Sequence, residues 1–311
     1  MTSVEPDTRQ APDDVRRGTR RLLVAFAVLT ALAVNQLLVL ADVTDRYWVW
    51  AIHTELTAAF LGAAYAAGLV LSLLSLRERS WARIRIPVIT VTVFTVLTAV
   101  ATLVHNHKLL LTSGGAVARL AAWVWLAVYL VIPVVCLLVV LRQERGRPLP
   151  GPARRLMPDW LTVALAAEGA VLLTAGAMLF AGGLTVHHHV MPMTRFWPWD
   201  IMPLSAQVIG AWLLALALAA ALAIGDGDLS RLRIPGVTYT VFGVLQLVVV
   251  IWHRSFVEAD DPWLWGYVGL LLAITATGAY GWWVALPHRS GRTARAGAAE
   301  SSSLGSEVPT G

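Results

Sequence analysis

The sequence predicts an all-α integral membrane protein. Eight transmembrane helices are expected, as two parallel four-helix repeats about a pseudo-twofold along the membrane normal, with both termini cytoplasmic. Three observations carry that expectation. The 311 residues are 57% hydrophobic and only 14% charged, where a soluble domain is about a quarter charged. Eight apolar runs each approach or exceed the roughly 20 residues needed to cross a bilayer core as a helix. A segment in the second half of the chain repeats one in the first.

The runs cover 21–42, 51–76, 86–105, 118–141, 159–182, 201–224, 234–253 and 263–286. Lipid offers no partner to a free backbone N–H or C=O, so helices are the expected form, and the runs are too long for barrel strands. The first run resembles a secretory signal, with Arg16–Arg21 ahead of it and Ala31-Leu32-Ala33 within it. It continues to Ala41 through Asn35 and Gln36, which predicts a retained helix. The resulting organisation is a polar tail over 1–20, a first repeat over 21–141, a linker over 142–158, a second repeat over 159–287 and a tail over 288–311. Both tails are polar enough to predict disorder.

Lysine and arginine set the orientation. With the N-terminus inside, cytoplasmic segments hold 19 of them and outer segments hold 5, a strong positive-inside bias. The net charge of +5 is therefore a topology signal; the expected partners are the bilayer and a lipophilic small molecule, and no nucleic acid. The lone cysteine, Cys136, lies in an apolar run, which excludes a disulfide framework and a cysteine zinc site.

The repeat is clearest where Arg83-Ile84-Arg85-Ile86-Pro87 and the residues to Phe94 align with Arg231-Leu232-Arg233-Ile234-Pro235 and the residues to Phe242: eight of twelve pairs are identical. The same register sets His105 opposite His253. Each unit has four spans, an even number, so both enter from one side and the axis follows the membrane normal. The arginines are expected to anchor the cytoplasmic face and each proline to sit in a first helical turn.

Trp-x-Trp occurs four times, as Trp48/Trp50, Trp123/Trp125, Trp197/Trp199 and Trp263/Trp265, all at the outer ends of spans. An interfacial aromatic belt explains tryptophan there. It explains less well the bias to one leaflet, which suggests an aromatic-lined outer cavity. Helical residues i and i+2 point about 200° apart, so one member of each pair would face lipid and the other the bundle.

Three acids are candidate proton donors. Glu168 falls near the middle of the fifth run, where a carboxylate is expensive and should face the bundle. Glu55 and Asp200 follow the Arg-x-Trp-x-Trp elements, within plausible reach of Arg46 and Arg195. Structural glue and interfacial salt bridges are the plain alternatives. His105 and His253 are weak metal or haem candidates, and His187–His189 could also capture a metal. No cofactor is predicted. Phosphate-binding loops, serine-hydrolase elbows, His-Glu-x-x-His and aspartate-rich diphosphate sites are all missing.

An acid beside indoles in a water-poor cavity suits acid-initiated cyclisation or isomerisation of an isoprenoid-like substrate. Glu168, Glu55 and Asp200 would be catalytic. The eight paired tryptophans, with Arg46 and Arg195, would bind substrate. Two alternatives stand beside this. A proton-coupled small-molecule transporter would use the parallel repeat and the midplane acid. A non-catalytic subunit would bind haem or metal.

Overall fold

The computed structural model describes residues 14–41, 44–145, 155–184 and 195–286, without the side chains of Asp45 and Arg46. Residues 1–13 of the first tail, the second tail, most of the linker and His187–His189 lie outside the described residues, while α1 already begins at Arg17. All named elements are helical. They are α1 (Arg17–Val34), the single turn α2 (Thr44–Tyr47), α3 (Glu55–Leu76), α4 (Trp81–Val104), α5 (Ala116–Glu144), α6 (Asp159–Gly183), α7 (Pro203–Asp226), α8 (Arg233–Trp252) and α9 (Pro262–Ala285).

Among the described residues, counting α1 together with a π-helical extension over Asn35–Val39, eight helices are long and apolar enough to cross a membrane. Each overlaps one expected run. The chain is thus a polytopic helical protein of membrane type.

Helix ends follow local chemistry. Pro203 and Pro262 stand at the starts of α7 and α9, where a missing N–H costs nothing. The Asp261 carboxylate accepts from the Trp263 N–H at 2.9 Å. Gly227 ends α7 at φ 58°, a left-handed conformation that glycine adopts without strain. Arg20 caps the far end of α3 by donating to the Leu76 and Glu78 carbonyls.

One expectation changes. Helix α4 begins at Trp81, so Pro87 lies inside it and not in its first turn. Pro235 keeps the expected place as the third residue of α8.

Four helices form the interior and four the flanks. The apolar windows of α3, α4 and α7 are 61–67% buried, against 22–33% for α1, α5, α6 and α9. Small residues explain the inner layer. Ala59, Gly62, Ala63 and Ala67 of α3, and Ala206, Gly210, Ala211 and Ala215 of α7, let backbones approach closely. The core connections cross between halves of the chain: α3 packs on α8, and α4 packs on α7. Around them, α1 lies on α3, α5 on α4, α6 on α7 and α9 on α8.

Closeness differs between the flanks. A Cβ at Gly236 would come within 2.6 Å of the Trp282 nitrogen and 2.8 Å of the Gly278 carbonyl. A Cβ at Gly210 would come within 2.8 Å of the Gly176 carbonyl. So α8–α9 and α6–α7 meet backbone to backbone. In α4 the residues in register with Gly236 and Gly243 are Val88 and Thr95. Thr95 reaches Cys136 of α5, with Oγ1 3.9 Å from Sγ, and lines the space described next.

Candidate functional site

The two ends of the bundle carry different chemistry. One end gathers tryptophan, the other arginine.

At the tryptophan end, Trp48-Val49-Trp50 and Trp197-Pro198-Trp199 are not helical; they run ahead of α3 and α7. Free of helical geometry, both members of each pair turn inward, and all four indoles are buried. The expectation that one would face lipid fails here for that reason. Trp48, Trp50 and Trp125 form a triangle of edge-on rings with centroids 5.2–5.5 Å apart. On the other side, Trp197, Trp199 and Tyr267 form a second triangle at 5.0–5.8 Å. Helix α9 thus offers Tyr267 where α5 offers Trp125, while Trp263 and Trp265 are exposed, as is Trp123.

The triangles exchange hydrogen bonds. Trp50 Nε1 donates to Ser205 Oγ of α7 at 3.3 Å, and Trp199 Nε1 donates to Thr57 Oγ1 of α3 at 2.9 Å.

Below the first triangle lies a cavity of about 300 Å³. Its walls come from α1, α3, α4 and α5, with Trp212 of α7. The aromatic lining is continuous: Trp125 lies 4.4 Å from Tyr129, the Tyr129 and Tyr65 hydroxyls are 3.1 Å apart, and Tyr65 and Phe94 both contact Trp212. Leu32 of α1 and Val117, Leu120 and Val124 of α5 line it and are exposed, so it opens sideways between these helices. In a bilayer that mouth faces lipid.

The candidate acids lie elsewhere. Glu168 is buried in α6, with Thr277 Oγ1 of α9 at 3.1 Å from both its carboxyl oxygens. Fifteen residues separate it from Gly183, about 22 Å along the helix from the tryptophan end. Asp200 is exposed, as is Arg195, and no ion pair joins them among the described residues. Glu55 is exposed too and borders a second, wider recess of about 680 Å³, which also holds His253, Trp252 and Phe256. None of the three acids lines the aromatic cavity. The side chain of Arg46 lies outside the described residues.

The two candidate histidines occupy different surroundings. His105 is fully buried, its Nε2 2.9 Å from the Gly183 carbonyl, so that nitrogen carries the proton and Nδ1 has no partner among the described residues. Burial holds its ring below the ordinary imidazole range, against the Gly183 contact; His107 and Lys108 add to the lowering. His253 uses Nδ1 on the Val249 carbonyl of its own helix at 3.0 Å. Among the described residues, no three His, Cys, Asp or Glu side chains gather as a metal group.

At the arginine end a second exchange appears. Asp226 accepts from Arg231 at 3.2 Å and from Arg85 of the other half at 3.4 Å. Glu78 accepts from Arg83 at 3.2 Å and stands 3.7 Å from Arg233 of the other half. Each arginine pair therefore does more than face the membrane surface: one member ties its own half and one crosses. Arg85 also reaches Glu144 of α5 at 3.0 Å, whose carboxylate accepts from the Trp81 indole at 2.8 Å.

Sequence reasoning passed over Glu78, Asp226, Tyr65, Tyr129 and Trp212. The acids were findable: Arg231 follows Arg83 by 148 positions (231 − 83), and Asp226 follows Glu78 by the same 148 (226 − 78). The tyrosines and Trp212 carry no such mark, because each breaks the repeat.

With this geometry in place, comparison adds no identity. No protein-family model, curated protein or solved structure matches the chain.

Proposed function

We propose that the protein takes up a lipophilic, isoprenoid-like small molecule from the bilayer into the aromatic cavity of its first half. The observation that carries this is the cavity itself: about 300 Å³, lined by Trp48, Trp125, Tyr65, Tyr129 and Trp212, and open between α1 and α5. That volume lies at the lower end of the range for small-molecule sites, and the apolar lining with few polar groups fits one. A side opening lets a ligand pass from lipid without crossing water.

The frame around it is read as two parallel repeats about an axis along the membrane normal, with the arginine end and both termini in the cytoplasm. Reciprocity supports this. Trp50–Ser205 matches Trp199–Thr57. The Glu78 ion pairs match those of Asp226. A two-fold generates such exchanged contacts in pairs, as an isologous interface does. The arginines at one end and the positive-inside bias support the orientation. On this reading the cell membrane is the site of action.

The test is direct. Protein purified in mild detergent should release a lipophile on organic extraction, near one per chain, and Ala121→Trp, which fills the cavity from α5, should lose it. Equal extracts from wild type and Ala121→Trp would sink the proposal.

A narrower second reading is enzymatic: cyclisation or isomerisation of the bound molecule. The aromatic walls favour it, since ring faces stabilise a carbocation. Its proton donor would have to reach the cavity, which Glu168, Glu55 and Asp200 do not line. Lipid extracts of expressing cells should contain a new product that Glu168→Gln or Asp200→Asn abolishes; an unchanged lipid profile removes this reading and leaves uptake or transport.

A further inference from the structure

The unsatisfied donors around the aromatic cavity bear on the chemistry of its ligand, which rests on the binding proposal above.

Buried donors are normally satisfied, and the indoles here mostly obey. Trp50 donates to Ser205, Trp199 to Thr57, and Trp125 to Thr102 at 3.0 Å. Trp48 and Trp212 do not. Both are buried, at 2% and 7% exposure, and neither indole nitrogen has an acceptor among the described residues. Both line the aromatic cavity. An indole N–H can only donate, so what each lacks is an acceptor. Leaving such a donor unpaired costs stability, while a ligand oxygen would satisfy it.

Charge narrows the chemistry. Among the described residues no Asp, Glu, Lys, Arg or His lines the cavity, so these walls offer no counter-ion to a charged head. Position narrows it again. Trp48 and Trp212 stand at opposite ends of the aromatic chain that runs through Trp125, Tyr129 and Tyr65. A ligand with two acceptors offers one to each donor, and a flat ring suits the aromatic walls. An apolar tail would leave through the opening between α1 and α5.

We infer that the ligand is an uncharged lipid with a flat, carbonyl-bearing head of the quinone class, its two oxygens received by the Trp48 and Trp212 indoles.

The test uses the full-length protein in detergent and two probes with the same tail: decyl-benzoquinone and decylbenzene. Isothermal titration should show the quinone binding about tenfold more tightly than decylbenzene, the scale of one or two hydrogen bonds. Trp48→Phe and Trp212→Phe, which remove the N–H and keep a ring, should each erase most of that preference and leave decylbenzene binding nearly unchanged. Trp197 is a control: its buried N–H is also unpartnered, but it lines none of the cavities described, so Trp197→Phe should change neither affinity. Equal affinity for the two probes in wild-type protein would overturn the quinone inference while leaving uptake of an apolar ligand standing. That comparison needs no variant, so it holds even if a tryptophan replacement misfolds. If neither probe binds, or Ala121→Trp binds both as wild type does, the cavity proposal falls with it.

Discussion

Gly236→Ala is the sharpest test of why one flank is closed and the other open. An added Cβ would lie 2.6 Å from the Trp282 nitrogen, where ordinary contact begins near 3.4 Å. Helices α8 and α9 must therefore part locally by about 0.8 Å (3.4 − 2.6). A gap of that size forfeits a quarter to a half of each dispersion contact along the seam. Overpacking of this kind costs roughly 1–3 kcal/mol, and the better helix propensity of alanine returns up to about 1 kcal/mol. The net expectation is a loss of about 1–2 kcal/mol. Gly269 on α9 is the internal control, since a Cβ there meets nothing within 4 Å. Gly269→Ala should gain roughly 0.5–1 kcal/mol. Cys136, the only cysteine and fully buried, supplies the readout: a thiol-reactive fluorogenic dye reports its exposure on heating. The two variants should move the melting temperature in opposite directions. A Gly236→Ala protein that melts at or above wild type would refute the backbone-contact account.

Other expectations follow from the arginine end and from His105. Asp226 faces two arginines, and all three side chains are 11–16% exposed. Asp226→Asn should cost about 1–3 kcal/mol, less than a fully buried pair because water still reaches the site. Glu78 faces Arg83 and Arg233, each 52% exposed, so Glu78→Gln should cost under about 1 kcal/mol. The same dye melt ranks them, and equal losses would deny the exchanged clamp its uneven burial. His105 gives a pH signature. Its folded pKa is lowered, so the unfolded chain takes up the proton first, and stability should fall as pH drops below about 6.5. His105→Gln should flatten that decline in melts between pH 7.5 and 5, whereas an unaltered slope would assign it to other groups.

Much of this architecture was legible in the chain. Apolar runs of about 20 residues force helices, because a bilayer leaves the backbone no other partner. The Arg83–Phe94 and Arg231–Phe242 segments match at eight of twelve positions, and the same offset contained the Glu78 and Asp226 clamp unread. Local sequence stopped short at the site. Trp48/Trp50 and Trp197/Trp199 read as helix ends, yet they lie in non-helical bends whose indoles all turn inward. Periodicity assigns a face only within a helix. Glu168 drew attention as a charge in an apolar run, and its carboxyl faces Thr277 of α9 and Tyr239 of α8.

What sequence determined alone was solvent, helix count and internal similarity, each a sum over many residues and so robust to any one of them. What only the tertiary structure decided was the cavity. Thr95 lines it where the other half has Gly243, and Tyr65, Tyr129 and Trp212 converge on it from three helices. A void is the difference between nearby surfaces, and neighbours that are distant in sequence set it.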